Sequence, residues 1–220
     1  RAMGWYGVAL VDALDYYPEN HPGRDSLIQI LQRWTTAILK VQDAKEGVWF
    51  DILDAPNDPR NYKEASASSM FTLVLLKAMR KGYIPADYLL QAKKAYAGLL
   101  NHFIENTSGQ INLKGTVSVS GLGGNPYRDG SLEYYFKEPV VLNDPKGMGA
   151  FLQATVEAEF NQENVKQPVV LLDAFYNNEI KKDAYGRDSK WHYAWEDISN
   201  GGFGMLGKQF ESKGAQLKTL

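Results

Sequence analysis

Residues 66–81 read SASSMFTLVLLKAMRK, and this stretch decides the fold class of the chain. Its apolar side chains recur at helical spacing and predict that Phe71, Val74, Leu75 and Ala78 face inward. Gly82 follows the stretch and is the residue type at which helices commonly end. The sequence therefore predicts a helix over residues 66–81 that packs one side against a core.

Four further stretches on either side of this helix carry the same period. They predict helices over residues 5–17, 24–41, 85–103 and 144–160. Between the second and third helices, GVWFDIL at residues 47–53 predicts a short extended segment on a connecting loop. Helical hairpins joined by long loops on one side are typical of an α/α toroid, so the chain is predicted to be mainly α.

The character of the sequence changes near its end. Residues 161–167 form a polar linker, and residues 168–173, PVVLLD, predict a buried parallel strand. A helix is predicted over residues 197–213 and a further strand over residues 215–220. Strand, helix and strand make one βαβ unit, so residues 168–220 predict the beginning of an α/β domain.

Composition excludes several classes of function. The chain has 24 Lys and Arg against 26 Asp and Glu, a formal net charge of -2 and no basic run, which excludes nucleic acid as a partner. It has no cysteine, so disulfides and thiolate catalysis are excluded, while cytoplasm and periplasm both stay open. No apolar run reaches the ~20 residues that span a bilayer. Three scattered histidines predict neither a metal site nor another cofactor.

Chemistry-bearing residues cluster at loops and helix starts, many of them in a glycine-rich segment between residues 109 and 142, and loops of this length are usually functional. The set comprises Trp5, Tyr6, Trp49, Tyr62, Glu64, Ser66, Tyr127, Arg128, Asp129, Glu133, Tyr134 and Tyr135. Sugar rings pack on aromatic planes, their hydroxyls bond to carboxylates, and a uronate carboxylate suits an arginine fork. Ordinary packing is the alternative for any single residue, but together they indicate a carbohydrate site.

Five strings occur in order along the first part of the chain. They are RAMGWY with ALVD within residues 1–12, NYKEASASSMF at 61–71, TVSVSGLGG at 116–124, YY at 134–135 and GMGAFL at 147–152. In this order they resemble the C-terminal half of the unsaturated rhamnogalacturonyl hydrolases, glycoside hydrolase family 105. The resemblance covers residues 1–160 and implies part of an (α/α)6 barrel with its site in the central funnel. Residues 168–220 resemble the beginning of a glutamine-amidotransferase-like domain of unknown function.

The resemblance implies hydration of the C4=C5 double bond that a polysaccharide lyase leaves in unsaturated galacturonyl-rhamnose, a pectin product. An acid protonates C4 while water adds at C5, and the resulting hemiketal opens and releases the neighbouring sugar. The family departs from the usual pair of carboxylates, because one aspartate serves as both acid and base. By position that aspartate is expected upstream of Arg1, so no catalytic residue is assigned within the chain.

Two residues of the first predicted helix carry over to substrate binding. Arg1 matches the family arginine that faces the unsaturated sugar, and Trp5 matches the tryptophan that lines the pocket. Asp12 is a carboxylate that could be considered for an acid role, but its place about two turns beyond Trp5 favours a surface or packing role.

Further along, Glu64 and Ser66 match the Glu-x-Ser string at the mouth of an inner helix, where a helix N-cap is the alternative to ligand contact. Ser118, Ser120 and Gly121 fall on the loop expected to close over the neighbouring sugar, with ordinary turn chemistry as the alternative.

Two other functions stay open at this point. One is an unsaturated glucuronyl hydrolase acting on glycosaminoglycan products with the same barrel and chemistry. The other is a non-catalytic glycan-binding module. The expected partners are an oligosaccharide and the missing N-terminal half of the barrel, since the chain opens inside a helix and five helices cannot close a twelve-helix toroid. Alone, the chain is expected to be aggregated or molten because its apolar faces are uncovered.

Overall fold

The computed structural model describes residues 1–161, 169–173, 179–183, 185–199, 201–212 and 215–219. These residues fall in two compact units, Arg1–Gln162 and Glu163–Leu220. The described part of the chain is mainly helical, and none of its helices is long and apolar enough to cross a membrane. Most of the predicted linker, residues 162–167, lies outside the described residues.

The first unit contains the five predicted helices and one more. Its helices are α1 Ala2–Tyr16, α2 Arg24–Lys40, α3 Ala65–Arg80, α4 Leu89–Phe103, α5 Leu132–Tyr135 and α6 Pro145–Phe160. A short 3-10 helix precedes α4, and α5 is a single turn within the glycine-rich segment that the period did not predict. The predicted N-cap of α6 is confirmed, because the Asp144 carboxylate accepts a hydrogen bond from the backbone N–H of Lys146.

Helix α3 is the centre of the first unit. Every residue from Ala65 to Ala78 is buried, and the helix packs against α1, α4 and α6. The predicted inward positions of Phe71, Val74, Leu75 and Ala78 are therefore confirmed, and neighbouring helices cover the other sides of α3 as well. Phe71 lies edge-on to Trp34 and Trp49, with ring centroids 5.7 and 5.2 Å away. Each such buried aromatic ring contributes roughly 1.5–3 kcal/mol to folding.

Short strand pairs fill the connections between the helices. They are β1 Ile104–Thr107 with β2 Gln110–Leu113, and β3 Thr116–Val117 with β4 Val140–Val141, both antiparallel. Neither β1 nor β2 was predicted. The extended segment predicted over residues 47–53 is reduced to one bridge, between Phe50 and Lys63, because the chain bends from Asp51 onwards.

Glycine at position 147 allows α6 to approach β3 closely. A Cβ atom there would lie 3.1 Å from Cβ and Cγ2 of Thr116 and closer still to its hydroxyl oxygen. Thr116 is fully buried, so the neighbouring side chain has no free space into which it could move. The close approach fixes the segment that begins at β3, and this segment reaches the candidate site.

Ion pairs join the far end of α3 to α1 and α6. Lys77 bridges Asp12 and Asp15 at 2.6 and 2.7 Å, so Asp12 takes the packing role that its helical position predicted. Arg80 donates two hydrogen bonds to the Glu157 carboxylate, at 2.8 and 2.6 Å. Such a two-point contact fixes the distance between two helices better than a single bond.

The described residues of the second unit, taken by themselves, form one parallel and one antiparallel strand pair. Its elements are β5 Val169–Leu172, β6 Ile180–Lys182, β7 Asp188–Lys190, α7 Gly204–Ser212 and β8 Gln216–Thr219. Strands β5 and β8 are parallel, and β6 and β7 form a hairpin that was not predicted. The helix begins at Gly204 and not at Asp197, since the Asp197 carboxylate accepts the Ser199 N–H in a turn. A complete α/β domain stays a prediction.

Candidate functional site

Arg1 lies where the start of α1 meets the start of α3. Its Nε donates a hydrogen bond to the hydroxyl oxygen of Ser66 at 3.0 Å. Its Nη2 donates to the backbone carbonyl of Val117 and lies 3.5 Å from a carboxylate oxygen of Glu64. Two chain segments that are distant in sequence from Arg1 and from each other, residues 64–66 and Val117, therefore hold one guanidinium group in a single orientation.

Glu64 is the N-cap of α3 and is closed to solvent. Its carboxylate accepts backbone N–H bonds from Ala67 at 2.6 Å and from Val117 at 3.0 Å. The Ser66 hydroxyl donates toward the same carboxylate, with both oxygen atoms 2.9 Å away. The N-cap alternative is thus present in the structure. Glu64 holds Arg1 in place, and substrate contact by Glu64 or Ser66 stays a prediction.

A pocket of about 380 Å³ opens beside Arg1. It is lined by Arg1, Ala2, Met3, Asp51, Ile52, Leu53, Asp54, Ser120, Gly130, Leu132 and Tyr135. The lining combines one guanidinium with two carboxyl groups, a hydroxyl and a tyrosine ring. A guanidinium binds an anion, and carboxyl and hydroxyl groups bind sugar hydroxyls. A tyrosine ring packs on the face of a sugar ring.

Asp51 is a pocket residue that the sequence analysis missed. It is 8% exposed, its N–H donates to the carbonyl of Tyr62 at 2.9 Å, and the Tyr62 hydroxyl lies 3.4 Å from its Oδ2. Burial raises the pKa of the Asp51 carboxyl and Glu64 raises it further. The Tyr62 hydroxyl and Arg1 lower it, and the resulting pKa stays above its usual value. A carboxylate directly after the apolar run GVWF was the available signal.

Burial also raises the pKa of the Tyr62 hydroxyl, and the negative charges of Asp51 and Glu64 raise it further. The hydroxyl therefore keeps its proton and acts as a donor toward Asp51. Tyr62 had been singled out from the sequence as a sugar-binding candidate. In the structure its hydroxyl lies 3.4 Å from Oδ2 of Asp51, and Tyr62 itself is not among the residues that line the pocket.

The remaining predicted residues are divided between the pocket and its surroundings. Ser120 lies in the pocket lining, while the Ser118 N–H donates to the carbonyl of Pro139 at 2.8 Å. The Gly121 N–H donates to the hydroxyl oxygen of Tyr134 at 3.3 Å. Trp5 is 54% exposed on α1 and lies outside the lining. Substrate contacts by Trp5 and the loop residues stay predictions.

No metal site is formed by the described parts of the chain. Within them, no three His, Asp or Glu side chains converge in a way that could hold an ion. His102 pairs with Glu46 at 3.3 Å and His192 with Glu179 at 3.0 Å, each as a single contact.

Residues 1–162 match the protein family described as Glycosyl Hydrolase Family 88. A curated relative, the 24.9 kDa protein in the picA locus of Rhizobium radiobacter, is 38% identical over 168 residues, which are 72% of this chain and 70% of that protein. A solved structure, that of a family 105 glycoside hydrolase from C. acetobutylicum ATCC 824, is 50% identical to this chain with a TM-score of 0.71. The match covers 73% of this chain and 45% of the solved one.

A second solved structure is also similar to this chain. A possible GH105 member from Salmonella enterica serovar Paratyphi A is 30% identical, with a TM-score of 0.59 over 70% of this chain and 38% of its own. This chain therefore spans less than half the length of either solved relative.

Proposed function

This chain belongs to Glycosyl Hydrolase Family 88, and from that premise we propose that it forms part of a glycosidase for unsaturated uronyl oligosaccharides. One observation carries the proposal. A guanidinium group is fixed by Ser66 and Glu64 at the edge of a pocket that also offers carboxyl, hydroxyl and aromatic groups. This combination suits a sugar that carries both a carboxylate and several hydroxyls.

The position of Arg1 determines how it would bind the uronyl carboxylate. Its Nε and Nη2 are occupied by Ser66, Val117 and Glu64. Its Nη1 makes no hydrogen bond with the described residues, and Arg1 lines the pocket. We therefore assign Nη1 to the ligand carboxylate as an end-on donor, in place of the two-pronged fork expected from sequence. A hydrogen bond to a charged group is worth about 1.5–3 kcal/mol.

The reaction we propose is hydration of the C4=C5 double bond. A proton adds to C4 and water adds to C5 with loss of a proton, which gives a hemiketal that opens and releases the neighbouring sugar. The described residues are assigned to binding and orientation, and none of them is assigned as the proton donor. The proposed substrate is unsaturated galacturonyl-rhamnose. The described lining contains one basic side chain against two carboxyls, which gives little support for a sulfated glycosaminoglycan product.

The experiment that tests the proposal follows the ultraviolet absorbance of lyase-treated rhamnogalacturonan, incubated with the whole protein that carries this chain. Hydration removes the conjugated double bond, so absorbance should fall. Arg1→Ala should lower kcat/KM about 10- to 100-fold, the equivalent of one charged hydrogen bond. Arg33→Ala, an exposed arginine on α2, is the matched control and should leave the rate unchanged.

Each outcome of this assay has a definite meaning. Loss of absorbance only with unsaturated chondroitin disaccharides would keep the uronyl proposal and replace the substrate. No loss with either substrate would contradict the proposed activity and favour the glycan-binding alternative. Cooperative unfolding of Arg1→Ala is checked first, because the substitution also leaves Glu64 as a buried charge without its cation.

A further inference from the structure

Two buried carboxyl groups lie near a single guanidinium group at the pocket. Glu64 takes that guanidinium, at 3.5 Å from Nη2 of Arg1. Asp51 is left with the Tyr62 hydroxyl at 3.4 Å as its side-chain partner, and no Lys, Arg or His of the described residues lies within ion-pair distance of it. A buried carboxyl without a cation is costly to ionise, because burial removes the water that stabilises its charge.

The groups facing Asp51 come from four segments. The start of α1 supplies the Arg1 guanidinium, which favours the ionised form. Tyr62 favours it through a hydrogen bond, whereas Glu64 at the start of α3 opposes it. Asp54 and Tyr135 complete the lining nearby. Burial is the largest influence, and the pKa of Asp51 lies above its usual value before any ligand has entered.

A uronate bound at Arg1 would change this balance in one direction. Its carboxylate brings another negative charge into the pocket that Asp51 lines, and its ring displaces water from the carboxyl. Both changes favour the protonated form of Asp51, since like charges and desolvation oppose ionisation. A protonated carboxyl, unlike a carboxylate, can donate a hydrogen bond.

We propose that Asp51 is a further ligand-binding residue, which takes up one proton as a uronate binds at Arg1 and donates that proton in a hydrogen bond to the ligand. The inference rests on the proposed function, because it needs a uronate in this pocket. The proton comes from solvent and no covalent bond of the sugar changes. Asp51 thus distinguishes a uronate from a neutral sugar, whose ring also displaces water but which brings no negative charge and therefore drives less proton uptake.

The direction of the pH dependence follows from linkage. Below the pKa of Asp51 in the free protein, the carboxyl is protonated with or without ligand, and binding takes up no proton. Between that pKa and the higher pKa of the complex, binding takes up a proton, and affinity falls by up to about tenfold per pH unit as pH rises. Above both pKa values, Asp51 is ionised throughout and binding is weakest.

Calorimetry on the whole protein that carries this chain tests the proposal, with D-galacturonate as the probe and D-galactose as the neutral control. Titrations in two buffers of different ionisation enthalpy count the protons taken up per ligand. We expect uptake to approach one proton for wild type in the acidic range and to vanish in Asp51→Asn. That variant should still bind, because an amide donates without taking up a proton.

Asp87→Asn is the matched control, since Asp87 is exposed and lies outside the pocket lining. It should keep the uptake of the wild-type protein. The ligand's own carboxyl titrates equally in every variant, so the difference between Asp51→Asn and Asp87→Asn isolates Asp51. Equal uptake in these two variants would overturn the proposal.

The assay also separates this inference from the proposed function. Galacturonate binding without proton uptake overturns the role of Asp51 and leaves the uronyl pocket standing. Absence of galacturonate binding contradicts the uronyl pocket itself. If Asp51→Asn does not fold, wild-type protein labelled with ¹³C at the aspartate carboxyls replaces it. One buried carboxyl resonance should then move further toward its protonated position with galacturonate than with galactose.

Discussion

Nη2 of Arg1 lies 3.5 Å from Oε1 of Glu64, and the two side chains are 7% and 0% exposed. The pair joins the start of α1 to the N-cap of α3, and the Val117 N–H donates to the same carboxylate oxygen at 3.0 Å. One buried carboxylate therefore orients a helix start, a loop and a guanidinium together. The geometry of the pocket depends on this carboxylate as much as on the residues that line it.

Glu64→Gln should destabilise the first unit strongly. The amide keeps the shape of the side chain but removes the charge, so Arg1 becomes a buried cation without its anion. Its NH2 group would also face N–H donors that now meet an oxygen atom. Loss of one partner from a buried pair costs about 3–5 kcal/mol, which urea denaturation measures.

Glu133→Gln is the matched control for that substitution. Glu133 pairs with Arg60, but its side chain is largely exposed to solvent. Exposed pairs contribute little, so the unfolding midpoint should stay close to that of wild type. If both variants lost similar stability, the special role of the buried pair would be refuted.

Ser66→Ala and Ser69→Ala should behave differently although both serines are buried on α3. The Ser66 hydroxyl accepts from Arg1 and donates to Glu64, so its removal leaves Nε of Arg1 without an acceptor and should cost about 1–3 kcal/mol. The Ser69 hydroxyl is buried without a hydrogen-bond partner among the described residues. Its removal should be neutral or slightly stabilising. Urea denaturation of the two variants gives the comparison directly, and equal losses would contradict the Arg1 anchor.

The helices were predictable because the spacing of their apolar residues repeats over neighbouring turns of the sequence. The second helix was predicted over residues 24–41 and is found as Arg24–Lys40. The β1–β2 hairpin was not predictable in this way. The Asn143 side chain accepts the Leu113 N–H and donates to Asn112, at 2.9 and 2.8 Å, so the end of β2 depends on a residue 30 positions away.

The residues of the candidate site likewise fall into those that local sequence predicted and those that depend on distant contacts. Arg1 and Ser66 were predicted from short strings and are found joined by a hydrogen bond. Asp51 was missed because its burial depends on contacts that the local sequence does not show, including the Tyr62 hydroxyl and the pocket formed with Arg1. Residue type and spacing indicated a sugar site. The balance of charges within that site could be determined only from the folded structure.

Gly147→Ala and Gly149→Ala should have opposite effects, although both place one methyl group on α6. At position 147 the added Cβ would collide with Thr116 on β3, whereas nothing lies within 4 Å of it at position 149. Overpacking should cost Gly147→Ala about 1–3 kcal/mol. Gly149→Ala should gain about 0.5–1 kcal/mol from the higher helix propensity of alanine. Thermal unfolding separates them, and a neutral Gly147→Ala would show that α6 and β3 do not pack closely.

Asp15 should give the first unit part of its stability above pH 4. Burial raises the pKa of this carboxyl, but Lys77 and Lys81, at 2.7 and 3.2 Å, lower it to a larger combined extent, so the pKa lies below the usual 3.8. A lowered pKa means that the unfolded chain binds the proton first as pH falls. The stabilisation is therefore fully present above about pH 4 and is lost as pH falls through the pKa of the folded protein.

Asp15→Asn should accordingly be less stable than wild type at pH 6, and the two free energies of unfolding should converge as pH falls below about 4. Asp87→Asn is the control, because Asp87 is exposed and makes no ion pair with the described residues. Its stability should run parallel to wild type over the same range. Urea denaturation at several pH values measures all three proteins. A gap between wild type and Asp15→Asn that stayed constant with pH would mean that Asp15 acts through packing, and that the charge of Lys77 is compensated by Asp12 alone.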